Sequence, residues 1–264
     1  MKIALYYRHI DHQPVLRELV DALQAKGITV QTVADGDTIE GCDYLFSIGG
    51  DGTLLSSVQL IRGSKPAALP PIVGINFGHL GFLTTVAKED FSTMVDDLVA
   101  GRFTIEERTL LQIGEEYALN EMFLHRAEAS SLLRTQVTVD GQYVATYSGD
   151  GVIVATPTGS TAYSLSCGGP ILTPNSRGLV ITPISAHTLT LRPIIVPDTS
   201  VITLRVVEGD QCTLGMDSRR QHLSGNVEFT LQRAPFTIRL VRMNTQNFFS
   251  AIRDKLMWGT EVRQ

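Results

Sequence analysis

A change of pattern near Gly101 divides this chain of 264 residues into two kinds of sequence. Before it, apolar runs alternate with amphipathic segments. Ile3 to Tyr7, Ile28 to Val33, Tyr44 to Ile48 and Ile72 to Ile75 read as strands. Between the first two, Val15, Leu16, Leu19, Val20 and Leu23 recur with helical spacing; Pro14 suits the first turn and Gly27 the position after the last. Leu54 to Arg62 is a second helical segment, and Glu89 to Ala100 a third. Strands alternating with helices predict a parallel sheet with helices on its faces. After Gly101 the runs are short and β-like. Thr135 to Val139, Asp140-Gly141 and Gln142 to Tyr147 predict a hairpin with an Asp-Gly turn. Val152 to Ala155, Leu179 to Thr182, Val201 to Val207, Gln211 to Met216, Val227 to Leu231 and Phe236 to Leu240 continue the series. They predict an all-β domain, a sandwich or an elaborated barrel. The expected fold is an α/β N-terminal domain over 1–102 and a β-sandwich-like C-terminal domain over 103–244. The tail, 245–264, returns to helical spacing and can cap the β domain or rejoin the first one.

Composition narrows the function classes. Hydrophobic residues at 43% and charged residues at 19% suit a globular chain with a sizeable core. A net charge of −5 argues against binding nucleic acid by bulk charge. No run approaches the ~20 apolar residues of a membrane span. The apolar N-terminal run is too short for a signal peptide. Cys42, Cys167 and Cys212 are widely spaced and odd in number, so neither a metal pattern nor a disulfide framework is expected. A reducing cytoplasm follows as the expected location.

Gly49-Gly50-Asp51-Gly52-Thr53 lies between the third strand and the second helical segment. Glycines admit φ > 0 and let backbone approach an anion closely. Unpaired N–H groups at a helix start then suit phosphate. The carboxylate of Asp51 would repel phosphate unless a metal shields it or a substrate hydroxyl needs it. Asp51 reads equally as a helix N-cap that accepts a bond from its own helix. The loop 76–83, after the fourth strand, holds Asn76, Gly78 and Gly81 where an open sheet binds ligands; an ordinary turn is the plain alternative. The first strand–helix junction has no G-x-G-x-x-G, so the usual dinucleotide half is absent. A hydroxyl-rich run, Thr156 to Ser166, follows the strand that ends at Ala155. A short helix from about Thr161 would gather N–H and O–H donors around one point, and Tyr163 offers a ring face. Asn120-Glu121 can recognise a ribose diol and a base edge, but taken alone the pair reads as surface loop.

In this order, the glycine–aspartate turn, the Asn76 loop, Leu119-Asn120-Glu121 and the run Thr156-Pro157-Thr158-Gly159-Ser160-Thr161-Ala162-Tyr163-Ser164 resemble the ATP-dependent NAD kinases. The resemblance spans nearly the whole chain, and the Thr-Pro-Thr-Gly-Ser-Thr-Ala-Tyr run makes it specific. The glycine–aspartate turn alone is similar to motifs of phosphofructokinases and lipid kinases. The resemblance implies transfer of the γ-phosphoryl group of ATP to the 2′-hydroxyl of the adenosine ribose of NAD. It implies a last helix returning to the first domain, a homodimer or homotetramer, and Mg²⁺ carried with ATP rather than by protein ligands. Asp51 matches the catalytic aspartate. Gly49, Gly50, Gly52 and Thr53 match phosphate-binding positions. Gly52, Asn76, Phe82, Asn120, Glu121, Asp150, Thr158, Thr161, Ala162, Tyr163 and Ser166 match positions that bind NAD. Two departures stand out. Ser56 occupies a position where the family often carries arginine, so a phosphate-facing cation is expected from Arg62, Lys65 or another subunit. Asp217-Ser218-Arg219 replaces Asp-Gly-Gln and brings a cation, Arg219, toward the nucleotides.

Overall fold

The computed structural model describes residues 1–8, 13–63, 69–76, 81–127, 132–209, 211–243 and 247–259. It divides into two compact units, residues 1–107 with 238–264, and residues 108–237. The first unit runs β1 (Lys2–Tyr7), α1 (Gln13–Ala25), β2 (Thr29–Val33), β3 (Tyr44–Ile48), α2 (Asp51–Ser57), β4 (Ile72–Asn76), β5 (Val86–Ala87) and α3 (Phe91–Val99), and β6 (Thr104–Ile113) leads out of it. β2, β1, β3 and β4 lie side by side and parallel. Leu240, near the end of a later strand, pairs with Ile72. Consecutive burial of Ile3, Ala4, Leu5 and Tyr6 marks a strand covered on both faces. One face packs Ile3, Leu5, Phe46, Ile48, Val73 and Ile75 against Leu16, Leu19 and Leu23 of α1 and Met94, Val95 and Leu98 of α3. Each such side chain contributes about 1.5–3 kcal/mol when fully buried.

The second helix starts earlier than its apolar spacing predicts. Gly50 is extended and serves as N-cap, so Asp51 is the first helical residue. The α-helix ends at Ser57 and tightens into a 3₁₀ turn over Val58–Gly63.

The second unit runs β7 (Glu116–Ala118), β8 (Glu121–Arg126), β9 (Leu133–Val139), β10 (Gln142–Gly149), β11 (Gly151–Ala155), α4 (Tyr163–Ser166), β12 (Gly178–Ile184), β13 (Ile194–Pro197), β14 (Ile202–Glu208), β15 (Gln211–Met216), β16 (Arg219–Ser224) and the start of β17 (Glu228–Arg242). β13-β12-β11-β8-β15-β16 form one antiparallel sheet. β10-β9-β14-β17 form the other layer. Leu124, Val152, Val154, Ile181 and Leu214 of the first meet Val137, Ile202, Leu204 and Leu231 of the second, which makes a sandwich. The Asp-Gly hairpin has φ of 52° and 77° at Asp140 and Gly141, as a two-residue turn of right-handed twist requires. The runs 227–231 and 236–240 join into one strand, β17, that continues through Pro235.

α5 (Phe248–Leu256) belongs to the first unit, as the resemblance implied. Asn247 caps it by accepting from the Ser250 N–H at 2.9 Å. Phe248 lies against Phe82, with ring centroids 6.4 Å apart. Among the described residues no helix is long and apolar enough to cross a membrane.

Candidate active site

The glycine turn sits at the C-terminal edge of the parallel sheet, where an open α/β sheet binds its ligands. Gly49 has φ of 140°, and a Cβ there would come within 2.4 Å of Thr53 Oγ1. Its N–H donates to Ile75 O at 2.8 Å, tying the turn to β4. Gly50 and Gly52 are exposed.

Asp51 does not cap its own helix. Its carboxylate crosses to the segment after β4. Oδ2 accepts from the Phe82 N–H at 2.8 Å. Oδ1 accepts from the N–H of Leu83 at 3.1 Å, the N–H of Thr84 at 2.9 Å and the Thr84 hydroxyl at 2.9 Å. The Thr84 oxygen in turn accepts from Asn76 Nδ2 and from the Gly81 N–H, both at 3.2 Å. Gly81 is glycine because a Cβ there would lie 1.6 Å from Asp51 Oδ1. Phe82 therefore meets the site by its backbone, while its ring faces Phe248 and has Lys255 Nζ 5.8 Å from its centroid.

The Ser56 departure acquires a local answer. Arg8 Nη1 donates to Ser56 Oγ at 2.9 Å, and that hydroxyl donates to Gly52 O at 3.0 Å. A guanidinium thus stands beside the first turn of α2. Lys65 and the side chain of Arg62 lie outside the described residues, as do residues 77–80 of the loop after β4.

The Asn120-Glu121 pair is not surface loop. Glu121 opens β8, a strand between β11 and β15, and only 6% of it is exposed. Asn120 is half-buried. Two distant stretches clamp the turn. Asp217 accepts from the N–H groups of Leu119 and Asn120, each at 2.8 Å, and of Glu121 at 3.2 Å. From the other side Thr156 N–H donates to Asn120 O at 2.9 Å, and Thr156 Oγ1 donates to Leu119 O at 2.6 Å. A Cβ on Gly159 would lie 2.0 Å from Asn120 O.

Burial, with the Asp217 charge adding to it, raises the Glu121 carboxyl to about 8; the Tyr163 N–H works weakly against the rise. Oε2 of Glu121 is buried and meets no protein partner among the described residues. The rise favours the carboxylic acid, which offers one donor and one acceptor to a sugar diol or a base edge. Burial also raises Asp217, to about 6, against the N–H bonds it accepts and the Arg219 charge.

Much of the hydroxyl run turns inward rather than toward a ligand. Ser160 Oγ donates to Pro157 O at 2.6 Å and accepts from Leu172 N–H at 2.9 Å. Ser164 shares a 2.8 Å bond with Thr182. Thr158 is buried and accepts from Arg108 Nη1 at 3.2 Å; Thr161 Oγ1 donates to Thr158 O at 3.2 Å. Ala162 and Tyr163 are half-buried and Ser166 is exposed. The Tyr163 ring stands edge-on to Phe123 at 5.4 Å. Asp150 pairs with Arg126 Nε at 2.8 Å.

A cleft of about 680 Å³ in the second unit is lined by Glu121, Asp217, Phe123, Tyr163, Arg126 and Arg220, among others. That size suits a small-molecule ligand. Phe123, Arg126 and Arg220 escaped the sequence reading. For Phe123 the two-residue period of a strand that begins at Glu121 was the available signal, since it sets Glu121, Phe123 and His125 on one face; Arg126 and Arg220, the latter on β16, carried none. Arg219 is engaged within the protein: it pairs with Glu116, and its Nη2 donates to Tyr117 O at 2.7 Å. No cluster of three His, Cys, Asp or Glu side chains able to hold a metal occurs among the described residues.

Comparisons with known proteins agree over both units. Models of the ATP-NAD kinase N-terminal and C-terminal domains match residues 8–103 and 119–243. An NAD kinase of Cytophaga hutchinsonii is 40% identical over 230 residues, covering 84% of this chain and 77% of the relative. One of Porphyromonas gingivalis is 42% identical over 235 residues, covering 86% and 80%. Among solved structures, an NAD kinase from Archaeoglobus fulgidus in complex with ATP superposes with a TM-score of 0.82 at 25% identity, over 97% of this chain and 99% of the other. Yeast NADH kinase complexed with NADH gives 0.86 at 23% identity, over 100% and 89%, a likeness of fold.

Proposed function

Because the chain belongs to the NAD kinase family, it transfers the γ-phosphoryl group of ATP to the 2′-hydroxyl of the adenosine ribose of NAD, giving NADP and ADP, and we propose that Asp51 prepares that hydroxyl. The observation that carries the assignment is the turning of the Asp51 carboxylate away from its own helix. Phosphoryl transfer proceeds mostly by positioning and charge stabilisation. Three donors hold Oδ1 and one holds Oδ2, so the carboxylate has a fixed direction and Oδ2 retains acceptor capacity. It orients the 2′-hydroxyl in line with the γ-phosphorus and takes its proton as the O–P bond forms. Gly49, Gly50, Gly52 and Thr53 receive the donor's phosphates. Gly52, Asn76 and Phe82 serve the NAD side of the same turn.

In the second unit, Asn120 and Glu121 bind the adenosine part. Asp150, Thr161, Ala162, Tyr163 and Ser166 line the NAD pocket. Thr158, its hydroxyl held by Arg108, shapes the run that carries them. The donor enters as its magnesium complex, since Mg²⁺ keeps waters and rides on phosphates with few protein ligands. A homodimer or homotetramer is the assembly the family resemblance supports. The free cysteines favour a reducing cytoplasm. The test is formation of NADP by the purified protein given NAD, ATP and Mg²⁺. Absence of turnover across a screen of phosphoryl donors defeats the activity. Light scattering on the same sample tests the assembly, and a monomer refutes it.

A further inference from the structure

Arg242, at the end of β17, is buried, with 8% of it exposed. Its Nη2 donates to Phe82 O at 3.1 Å and its Nη1 to Leu83 O at 3.2 Å. Its Nε meets Glu106 Oε2 at 2.7 Å. The two carbonyls belong to peptide groups whose N–H ends are those of Leu83 and Thr84. Those N–H groups donate to Asp51 Oδ1. A guanidinium and a carboxylate thus hold opposite ends of the same two peptide units, each dipole pointing its positive end at Asp51.

We propose that Arg242 is a positioning residue for phosphoryl transfer, acting on Asp51 through the Phe82–Leu83 and Leu83–Thr84 peptides. The inference rests on the reading of Asp51 as the group that prepares the hydroxyl. Only a rigid planar fork can grip two successive carbonyls while a third edge is held by a carboxylate. The side chain touches no reacting atom. It fixes the peptide plane from behind, and the amides in front fix the carboxylate. Without it, the 81–84 segment keeps its covalent path but loses the restraint that aims Leu83 and Thr84 N–H at Oδ1. Gly81, which has no side chain, does not hold the segment by packing.

Steady-state kinetics on Arg242→Gln, Arg242→Lys and Asp51→Asn test this, with amide hydrogen exchange beside them. Arg242→Gln is expected to lower kcat about 10-fold with KM for NAD and for ATP within about 2-fold, the pattern of a group felt in the transition state and not in binding. Arg242→Lys regains about a third of the lost kcat, because an ammonium reaches one carbonyl. Exchange at Leu83 and Thr84 speeds by about 10-fold in Arg242→Gln while β3 keeps its protection. A kcat within about 2-fold of the parent overturns the proposal, as does a rise in KM at constant kcat. Loss of protection throughout the sheet also overturns it, since that marks a general structural role. If Arg242→Gln does not fold, Glu106→Gln carries the test: it leaves the guanidinium on its two carbonyls but removes the charge that holds its Nε edge, and kcat should fall about 3-fold. An unchanged kcat there refutes the inference. Full turnover by Asp51→Asn instead sinks the underlying reading of Asp51, whatever the Arg242 variants do.

Discussion

Gly81 and Gly159 are both places where a side chain would collide, but with different things. A Cβ on Gly81 would strike the carboxylate of Asp51, and one on Gly159 would strike the backbone of Asn120. The carboxylate has torsions by which it can yield, at the cost of its hydrogen bonds; a peptide clamped by Asp217 and Thr156 has none. The acids beside these glycines differ in the same sense. Asp51 is half-exposed and meets four donors, whereas Glu121 is buried with one oxygen lacking a protein partner among the described residues. The first arrangement aims a charged group. The second holds back a neutral one for something that arrives later. On the function proposed above, the glycine turn serves direction and the Asn120-Glu121 turn recognition.

Removing the aimed charge should have the largest effect. Asp51→Asn keeps the size of the side chain but brings an NH₂ toward N–H donors and cannot take a proton. Turnover is expected to fall about 10³-fold or more, while calorimetry finds NAD affinity within a few-fold of the parent. A variant that binds NAD poorly, or still turns over, would erase the division of labour between the two turns. Next comes Gly159→Ala. Its Cβ meets backbone held from both sides, so the cost falls on folding: about 3 kcal/mol in urea unfolding, as for an overpacked core. An unchanged midpoint would mean that the Asn120 turn is free to move and is not a fixed platform.

Gly81→Ala probes the other glycine. The carboxylate yields, losing its place on Thr84 and Leu83. We expect kcat to drop about 10²-fold, as for a reacting group displaced by roughly 1 Å. Three bonds to Oδ1 are lost, but the half-exposed carboxylate exchanges them in part for water, so unfolding should change by about 1–2 kcal/mol, less than in Gly159→Ala. Equal losses of stability in the two glycine variants would collapse the contrast.

Local chemistry was legible in the sequence and spatial chemistry was not. Strand, glycine turn and helix announce themselves by residue type within a short window, and the Asp-Gly hairpin likewise. The motif resemblance supplied Asn120, Glu121 and Phe82, which spacing alone could not. Gly81 was visible as a loop glycine, but its partner, Asp51, lies far back in the chain. Arg242 lies just past the run Phe236 to Leu240 read as a strand, and nothing near it in sequence points to its carbonyl partner Phe82, 160 residues upstream. Glu121 looked like loop because Asn and Glu are mostly exposed residue types, yet it opens a strand in which Glu121, Met122, Phe123 and Leu124 are all buried. The hydroxyl run was legible only in part. Ser160 and Ser164 have the composition of a ligand cradle, yet their oxygens bind the protein's own backbone and Thr182. Hydroxyl density cannot tell the two uses apart, because both need a small donor beside a tight turn.

The smallest expected effect concerns the acid held in reserve, and its sign follows from linkage. Burial, above all, pushes the Glu121 carboxyl of the folded protein up from its ordinary 4.5 to about 8. Between those values the unfolded chain has given up a proton that the folded chain keeps. Stability present in full below the lower value therefore falls as pH rises through the window, and levels off above the upper one. Asp217 adds a loss of the same sign over the narrower span from 3.8 to about 6. The parent should be less stable at pH 9 than at pH 5 by about 2 kcal/mol or more from Glu121, since a tenfold change in proton affinity is worth about 1.4 kcal/mol. Glu121→Gln stays neutral throughout, so most of that slope should vanish, leaving the part below about pH 6 that belongs to Asp217. Urea unfolding of both proteins at roughly pH 5, 7 and 9 reads the difference. If the variant keeps the parent's slope above that range, Glu121 is ionised and already satisfied in the folded chain. The two turns would then hold their acids in the same way.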